Sequence, residues 1–264
     1  MTTIGDIYDF LNEIMPFSVQ ESWDNSGFLA GDAAQPVTSV LTCLDITSKT
    51  VDEAEKLGAQ LIVSHHPVIF QPIRSVTADS VVYKLVRKNI SAICCHTNAD
   101  IAPCGTNGIA YEMMKDSLSL GERSPLETLP NGNGIGWICG CEPVHASELA
   151  AKLEDIFGCP VRYSRTDKLI KRLGFCSGSG GSMLEEAAAA GCDALITGDV
   201  KHDRFVEADN IGTALFDCTH YATEVPFASA AAGYISERFP DIAAYVSESG
   251  ADYIAFSDAD RQNT

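Results

Sequence analysis

Leu61-Ile62-Val63-Ser64-His65-His66-Pro67 is a short apolar run that ends in two adjacent histidines and a proline. Leucine and β-branched residues without polar alternation describe an interior strand, and Pro67 removes the donor that would extend its ladder. Inside a strand the two histidines would point to opposite faces. At the carboxyl end, where the backbone bends, they can splay around one pocket and each take a different metal ion. A strand with no polar face belongs to a mainly parallel sheet covered on both sides by helices.

The neighbouring sequence repeats the pattern. Before the run, Val40–Ile46 reads as a strand and Thr47 or Ser48 caps a helix through Lys56, which Gly58 ends. After it come helix Ser80–Lys88 and strand Ile90–Cys95, leading into His96-Thr97-Asn98-Ala99-Asp100. Towards the amino end, Ile4, Ile7, Phe10, Leu11 and Ile14 recur at helical spacing, and Pro16 stops that helix. Glu122 to Asn133, with two prolines and Asn-Gly-Asn-Gly, breaks the alternation. A second alternation follows: strand Ile135–Cys139, helix Ala146–Phe157, strands Val161–Tyr163 and Arg172–Cys176, helix Met183–Ala190, and strands Ala194–Thr197 and Ala214–Phe216. A helix from about Ala222 to Glu237 and a strand near Ala244–Val246 complete it, and Asp258 to Thr264 reads as a frayed end. The expectation is an α/β protein of two domains, residues 1–126 and 127–264.

Composition narrows the function. A formal charge of −18 repels polyanions and disfavours extended nucleic acid as a partner, while a small anionic substrate remains compatible if bound cations offset the field. No stretch reaches the roughly 20 apolar residues of a membrane helix. The first residues lack the basic and apolar regions of a secretory signal, which points to a cytoplasmic location. The ten cysteines include no C-x-x-C pair and sit mostly in apolar runs, as reduced core thiols do.

Three polar clusters follow apolar strands: His65-His66, His96 to Asp100, and His220 to Glu224. Ligand sites in open α/β sheets gather beyond the carboxyl ends of the strands. His220 and Glu224, four apart, share a face if a helix begins there. Imidazoles with two carboxylates form a mixed N/O set suited to Zn, Fe, Mn or Co. Two divalent ions need about this many ligands if one carboxylate bridges, and Glu224 can supply the bridge. His96, Asp45 and His202 are candidates for proton transfer or for supporting the ligands. The turn Ser177-Gly178-Ser179-Gly180-Gly181-Ser182 fails the dinucleotide pattern and reads as a plain tight turn.

Ser22-Trp23-Asp24-Asn25-Ser26-Gly27, Ser64-His65-His66-Pro67, His96-Thr97-Asn98-Ala99-Asp100, Thr197-Gly198-Asp199 with His202, and His220-Tyr221-Ala222-Thr223-Glu224 together resemble the NIF-three-like family, whose members include homologs of GTP cyclohydrolase I type 2. The resemblance implies two packed α/β domains with mainly parallel or mixed sheets, a dinuclear metal site at their interface, and a toroidal homohexamer. It implies two divalent metal ions per chain held by His65, His66, Asp100, His220 and Glu224. His66 and Asp100 would hold one ion, His65 and His220 the other, and Glu224 would bridge. The family usually has glycine where this chain has Cys104 and Thr219. Three activities fit such a set: a metal-dependent hydrolase of the GTP cyclohydrolase kind acting on a nucleotide-like substrate, a di-metal phosphoesterase, or a metal-binding regulatory or metal-handling protein without turnover.

Overall fold

The computed structural model describes residues 1–130 and 132–256, so that Asp258 to Thr264 lies outside the described residues. Two compact units result, one of residues 1–109 with 225–250, the other of residues 110–224 with the described residues that follow 250. This differs from two consecutive halves cut at 126 and 127. The reason is non-local: strand Ala243–Val246 returns to pair with the second strand of the chain, carrying helix Pro226–Arg238 with it.

In the first unit, α1 (Ile4–Ile14) starts at Thr3, whose hydroxyl accepts from the Asp6 amide while the Asp6 carboxylate accepts from the Thr3 amide. Strands β1 (Gly27–Ala30) and β2 (Ser39–Cys43) follow, then α2 (Ser48–Lys56), β3 (Leu61–Ser64), α3 (Val81–Arg87), β4 (Ser91–Cys94) and α4 (Thr97–Ile101). The sheet order is β1, β4, β3, β2, then Ala243–Val246, all parallel except β1, which runs antiparallel to β4. Both faces of β3 are covered. Leu61 and Val63 pack with Ile4, Ile7 and Leu11 of α1 and with Phe227, Ala231 and Ile235. Ile62 packs the other way, with Val51 and Ala54 of α2 and Leu85 of α3. Each such buried aliphatic side chain contributes about 1.5–3 kcal/mol, which fixes the register from both sides.

Register then positions the polar residues. Cys43 is opposite Ser64 and Ser64 opposite Cys94, so β2, β3 and β4 end level. Asp45, His65, His66 and His96 therefore emerge together at one edge of the sheet.

Helix α5 (Thr106–Met114) leads to the second unit. A small hairpin of β5 (Glu127–Thr128) and β6 (Gly134–Ile135) precedes β7 (Trp137–Val144), α6 (Ala146–Phe157), β8 (Arg162–Tyr163) and β9 (Ile170–Phe175). Then come α7 (Leu184–Ala189), β10 (Ala194–Thr197), α8 (His202–Ile211), β11 (Ala214–Asp217) and α9 (His220–Glu224). The sheet order is β7, β9, β10, β11, β8, with a parallel centre and antiparallel strands at both edges. Leu173, Phe175, Ile196 and Phe216 meet Leu149 and Leu153 of α6 on one face. On the other, Leu195 and Leu215 meet Leu184 and Ala187 of α7 and Ala208 of α8. Thr197 pairs with Asp217 and Ile196 with Phe175, so these three strands also end level.

Both sheets are mixed, with parallel centres. The one long helix expected over Ala222–Glu237 is broken: α9 ends at Glu224, and Pro226 opens a new helix at its first turn, where a missing amide costs nothing. The strand expected at Ile135 starts at Trp137 and runs on to Val144. No described helix is long and apolar enough to cross a membrane.

Candidate metal centre

In the first unit, His65 is fully buried and its Nδ1 lies 2.8 Å from the Cys95 carbonyl oxygen. A carbonyl can only accept, so Nδ1 carries the proton and Nε2 the lone pair. Nε2 is 3.7 Å from Asp100 Oδ1. His66 is half-buried, with Nδ1 2.9 Å from Asp45 Oδ1. His96, also half-buried, has Nδ1 2.7 Å from Asp24 Oδ1. The three rings cluster, with centroids 5.1 Å apart for His65 and His66, 5.3 Å for His65 and His96, and 5.6 Å for His66 and His96. One ring nitrogen from each lies within 4.8 Å of the others.

Asp100 sits one turn into α4. Its carboxylate accepts from the Thr106 hydroxyl, and its carbonyl accepts from Asn107 Nδ2 at 2.9 Å. Asp24 organises the start of that helix from a distant loop. Its Oδ2 accepts from the Thr97 amide at 3.0 Å, from the Thr97 hydroxyl and from Ser26 Oγ. Burial pushes the Asp24 carboxyl up, but the hydrogen bonds from His96, Thr97 and Ser26 outweigh it and hold the group well below the ordinary carboxylate range. Asp24 is therefore a fixed negative charge facing His96.

The second unit repeats the construction at the ends of β10 and β11. His220 Nδ1 lies 2.8 Å from Asp199 Oδ2, which also accepts from Ser179 Oγ at 3.2 Å. His220 Nε2 is 2.9 Å from Glu224 Oε2 across one turn of α9, and Glu224 is buried. Thr219 adopts φ +62 and Asp199 φ +53, left-handed values that cost non-glycine residues energy. Thr219 thus holds the conformation that a glycine would adopt freely. The glycine turn is packed against this pair. A Cβ on Gly178 would lie 2.2 Å from Glu224 Oε1, and one on Gly198 would lie 2.5 Å from the His220 amide nitrogen. The Gly178 and Gly180 amides donate to Thr223 Oγ1 and Thr197 Oγ1, at 3.0 and 2.8 Å, as in a plain tight turn that supports its neighbours.

Of the other candidates, Asp45 takes a supporting position on His66. His202 is exposed in the first turn of α8, while Asp199 is engaged by Ser179 and His220. The Cys104 thiol donates to the Ile14 carbonyl at 3.5 Å, and burial raises its pKa. Asp24, which the sequence names only as part of a motif, is the residue that joins His96 to the start of α4. Its signal is the dense run of turn formers from Asp24 to Gly27.

The donor chemistry fits divalent metal. Four histidines place Nδ1 against an oxygen acceptor, which leaves Nε2 as the nitrogen that could face a metal, the orientation by which outer hydrogen bonds aim metal-bound imidazoles. Each unit adds a carboxylate to its imidazoles, Asp100 in the first and Glu224 in the second, so each offers nitrogen and oxygen donors.

A mixed α/β chain of two units, each with histidines and acids aimed from strand ends, defines a candidate metalloprotein. Residues 2–252 match the model of the Duf34/NIF3 (NGG1p interacting factor 3) family, and the chain belongs to that family. A Streptomyces coelicolor protein named GTP cyclohydrolase 1 type 2 homolog is 31% identical over 251 residues, covering 90% of this chain and 87% of the relative. A Helicobacter pylori protein named GTP cyclohydrolase 1 type 2 is 32% identical over 232 residues, covering 86% and 89%. Among solved structures, a Staphylococcus aureus protein is 26% identical with a TM-score of 0.87, covering 97% of this chain and 99% of its own.

Proposed function

We infer that the chain is a dinuclear metal-dependent hydrolase acting on a nucleotide-like substrate. His65, His66, Asp100, His220 and Glu224 are the residues that would hold the two divalent ions, with Glu224 shared between them. The observation that carries this is the cluster of three imidazoles, His65, His66 and His96, each with Nδ1 anchored to an oxygen. The name of the Helicobacter pylori relative adds the substrate class.

Divalent ions bound there would supply Lewis acidity and an activated water. The chain's own residues do the rest. The Cys95 carbonyl, Asp45 and Asp199 fix the tautomers of His65, His66 and His220. His96 is the candidate to carry a proton. Its Nδ1 is held by Asp24, whose charge stabilises the imidazolium that forms when Nε2 takes up a proton.

Glu224→Gln keeps the size of the bridge and removes its charge, so it should lose at least one ion while the fold persists. His202→Ala should retain both. His96→Ala should keep metal and lose turnover on a nucleotide panel. Elemental analysis of protein purified without chelator decides the first point. At most one ion per chain after reconstitution, or full metal in Glu224→Gln, would refute the ligand assignment. Metal without turnover on any nucleotide would favour a metal-handling role.

A further inference from the structure

Beside the histidine cluster, two large aromatic side chains stand open. Trp23 is 58% exposed and Phe70 43% exposed. Single exposed apolar residues are ordinary on any protein surface. These two are adjacent, with ring centroids 6.1 Å apart, and both contact His96, at 6.1 Å from Trp23 and 6.2 Å from Phe70. The interplanar angles are 65°, 76° and 86°, so the three rings meet steeply, as the walls of a corner, and are not stacked on one another.

The corner is held rigid from behind. Asp24, next to Trp23, bonds His96 and the start of α4. Asn25 donates its side-chain amide to the carbonyl of Ile69, next to Phe70. Two consecutive polar residues therefore fix both aromatic positions and tie them to the histidine cluster. Fixing loops costs backbone entropy of about 1–2 kcal/mol per residue, and here the ordered loop presents apolar rings to water. A ligand that covers those rings gives that arrangement a return in binding energy.

We propose that Trp23 and Phe70, with His96 closing the corner, form a stacking platform for a planar heteroaromatic ring of the purine type. The proposal deepens the hydrolase assignment and rests on it for the reaction; the platform itself stands on the aromatic geometry. A ring lying on Trp23 or Phe70 has an edge beside His96, whose own centroid is 5.3 Å from that of His65 and 5.6 Å from that of His66. The platform thus presents the ring edge to the donors. The chain's charge of −18 gives a second reason for recognising the ring, because long-range steering works against an anionic tail.

The chain contains two tryptophans, and the other, Trp137, is 1% exposed and stacked on Phe175 at 5.2 Å. Trp23 is therefore a built-in reporter. Guanosine, which carries the ring without phosphate, should quench the red-shifted Trp23 emission saturably, while ribose and tetramethylammonium should not. Stacking on an aromatic side chain is worth about 1–3 kcal/mol per base, so Phe70→Leu should weaken guanosine binding by roughly 5-fold to 150-fold. Trp23→Leu should do the same by equilibrium dialysis, and Trp23→Phe should restore most of the affinity. Both positions are exposed, and thermal melts and metal content should match the parent protein. Metal retained with guanosine affinity indifferent to both leucine variants overturns the platform. So does a response to tetramethylammonium in place of guanosine, or a concentration-dependent blue shift of Trp23 with no response to guanosine, which assigns the corner to a second copy of the chain. Aromatic-dependent guanosine binding in protein that takes up no metal supports the platform and refutes the dinuclear assignment, so the two failures are distinguishable.

Discussion

Gly178→Ala tests whether the glycine turn is part of the site. Gly178 has φ +64, and a Cβ there would lie 2.2 Å from Glu224 Oε1, 3.2 Å from its Cδ and 3.3 Å from His220 Nε2. Left-handed backbone costs an alanine about 1–2 kcal/mol. Glu224 is buried and engaged with His220, so it can yield only by leaving its rotamer, for about 0.5–1.5 kcal/mol more. The sum, about 1.5–3.5 kcal/mol, is within the usual reserve of a folded chain and should lower Tm by roughly 3–14 °C. Gly191→Ala is the control. Its φ is +74, but nothing lies within 4 Å of the added carbon, so it bears the backbone cost alone. Both variants gain the same small benefit from a stiffer unfolded chain, which cancels in the comparison. Calorimetry of the pair should put Gly178→Ala lower by roughly 1–6 °C, and elemental analysis should show metal lost from that variant alone. Equal melting temperatures with equal metal content would mean that Glu224 relaxes without consequence, and the turn would have no part in holding it.

The cysteines should resist alkylation at pH 8 in the native state and react fully in denaturant, because burial pushes Cys95 and Cys139 up to about 12 and Cys141 and Cys159 to about 11. Rapid labelling of several buried thiols, followed by mass spectrometry, would contradict the core packing. Burial raises the Glu53 carboxyl, but hydrogen bonds from Ser247, Ser249 and the backbone amides of Glu248 and Ser249 together lower it below its ordinary value of 4.5. The stabilisation is therefore present above about pH 4.5 and fades as pH falls through the depressed folded value, so melts of Glu53→Gln and parent should converge on acidification. A gap that stays constant from pH 7 down to the acid limit would refute it. Six copies of the chain in a ring, at −18 each, would carry a formal charge of −108, so light scattering should show the hexamer that the family resemblance implies weakening at low ionic strength or after chelation. A monomer under every condition would remove the ring.

Much of the framework was legible because it is local. Strand Leu61–Ser64 and helix Ala146–Phe157 lie where apolar runs, periodicity and end signals put them. The placement of the candidate residues was legible for the same reason, since they follow strands whose ends the register brings level. What escaped the sequence depends on distant partners. Helix α4 has no side-chain cap of its own at His96, and the oxygen that accepts from its first amide belongs to Asp24, 73 residues earlier. No window around His96 contains that information. The return of residues 225–250 to the first unit likewise rests on strand pairing across some 200 residues. The same division runs through the candidate site. Its candidate side chains can be named from strand ends, but what aims them comes from segments far away in sequence: Asp45 on His66, Asp24 on His96, Asp199 on His220. Aim favours metal binding over core filling, because holding the other nitrogen fixes the tautomer and ring orientation that a metal needs. Histidine type and position were therefore readable from one strand, while competence as a ligand depends on the tertiary fold.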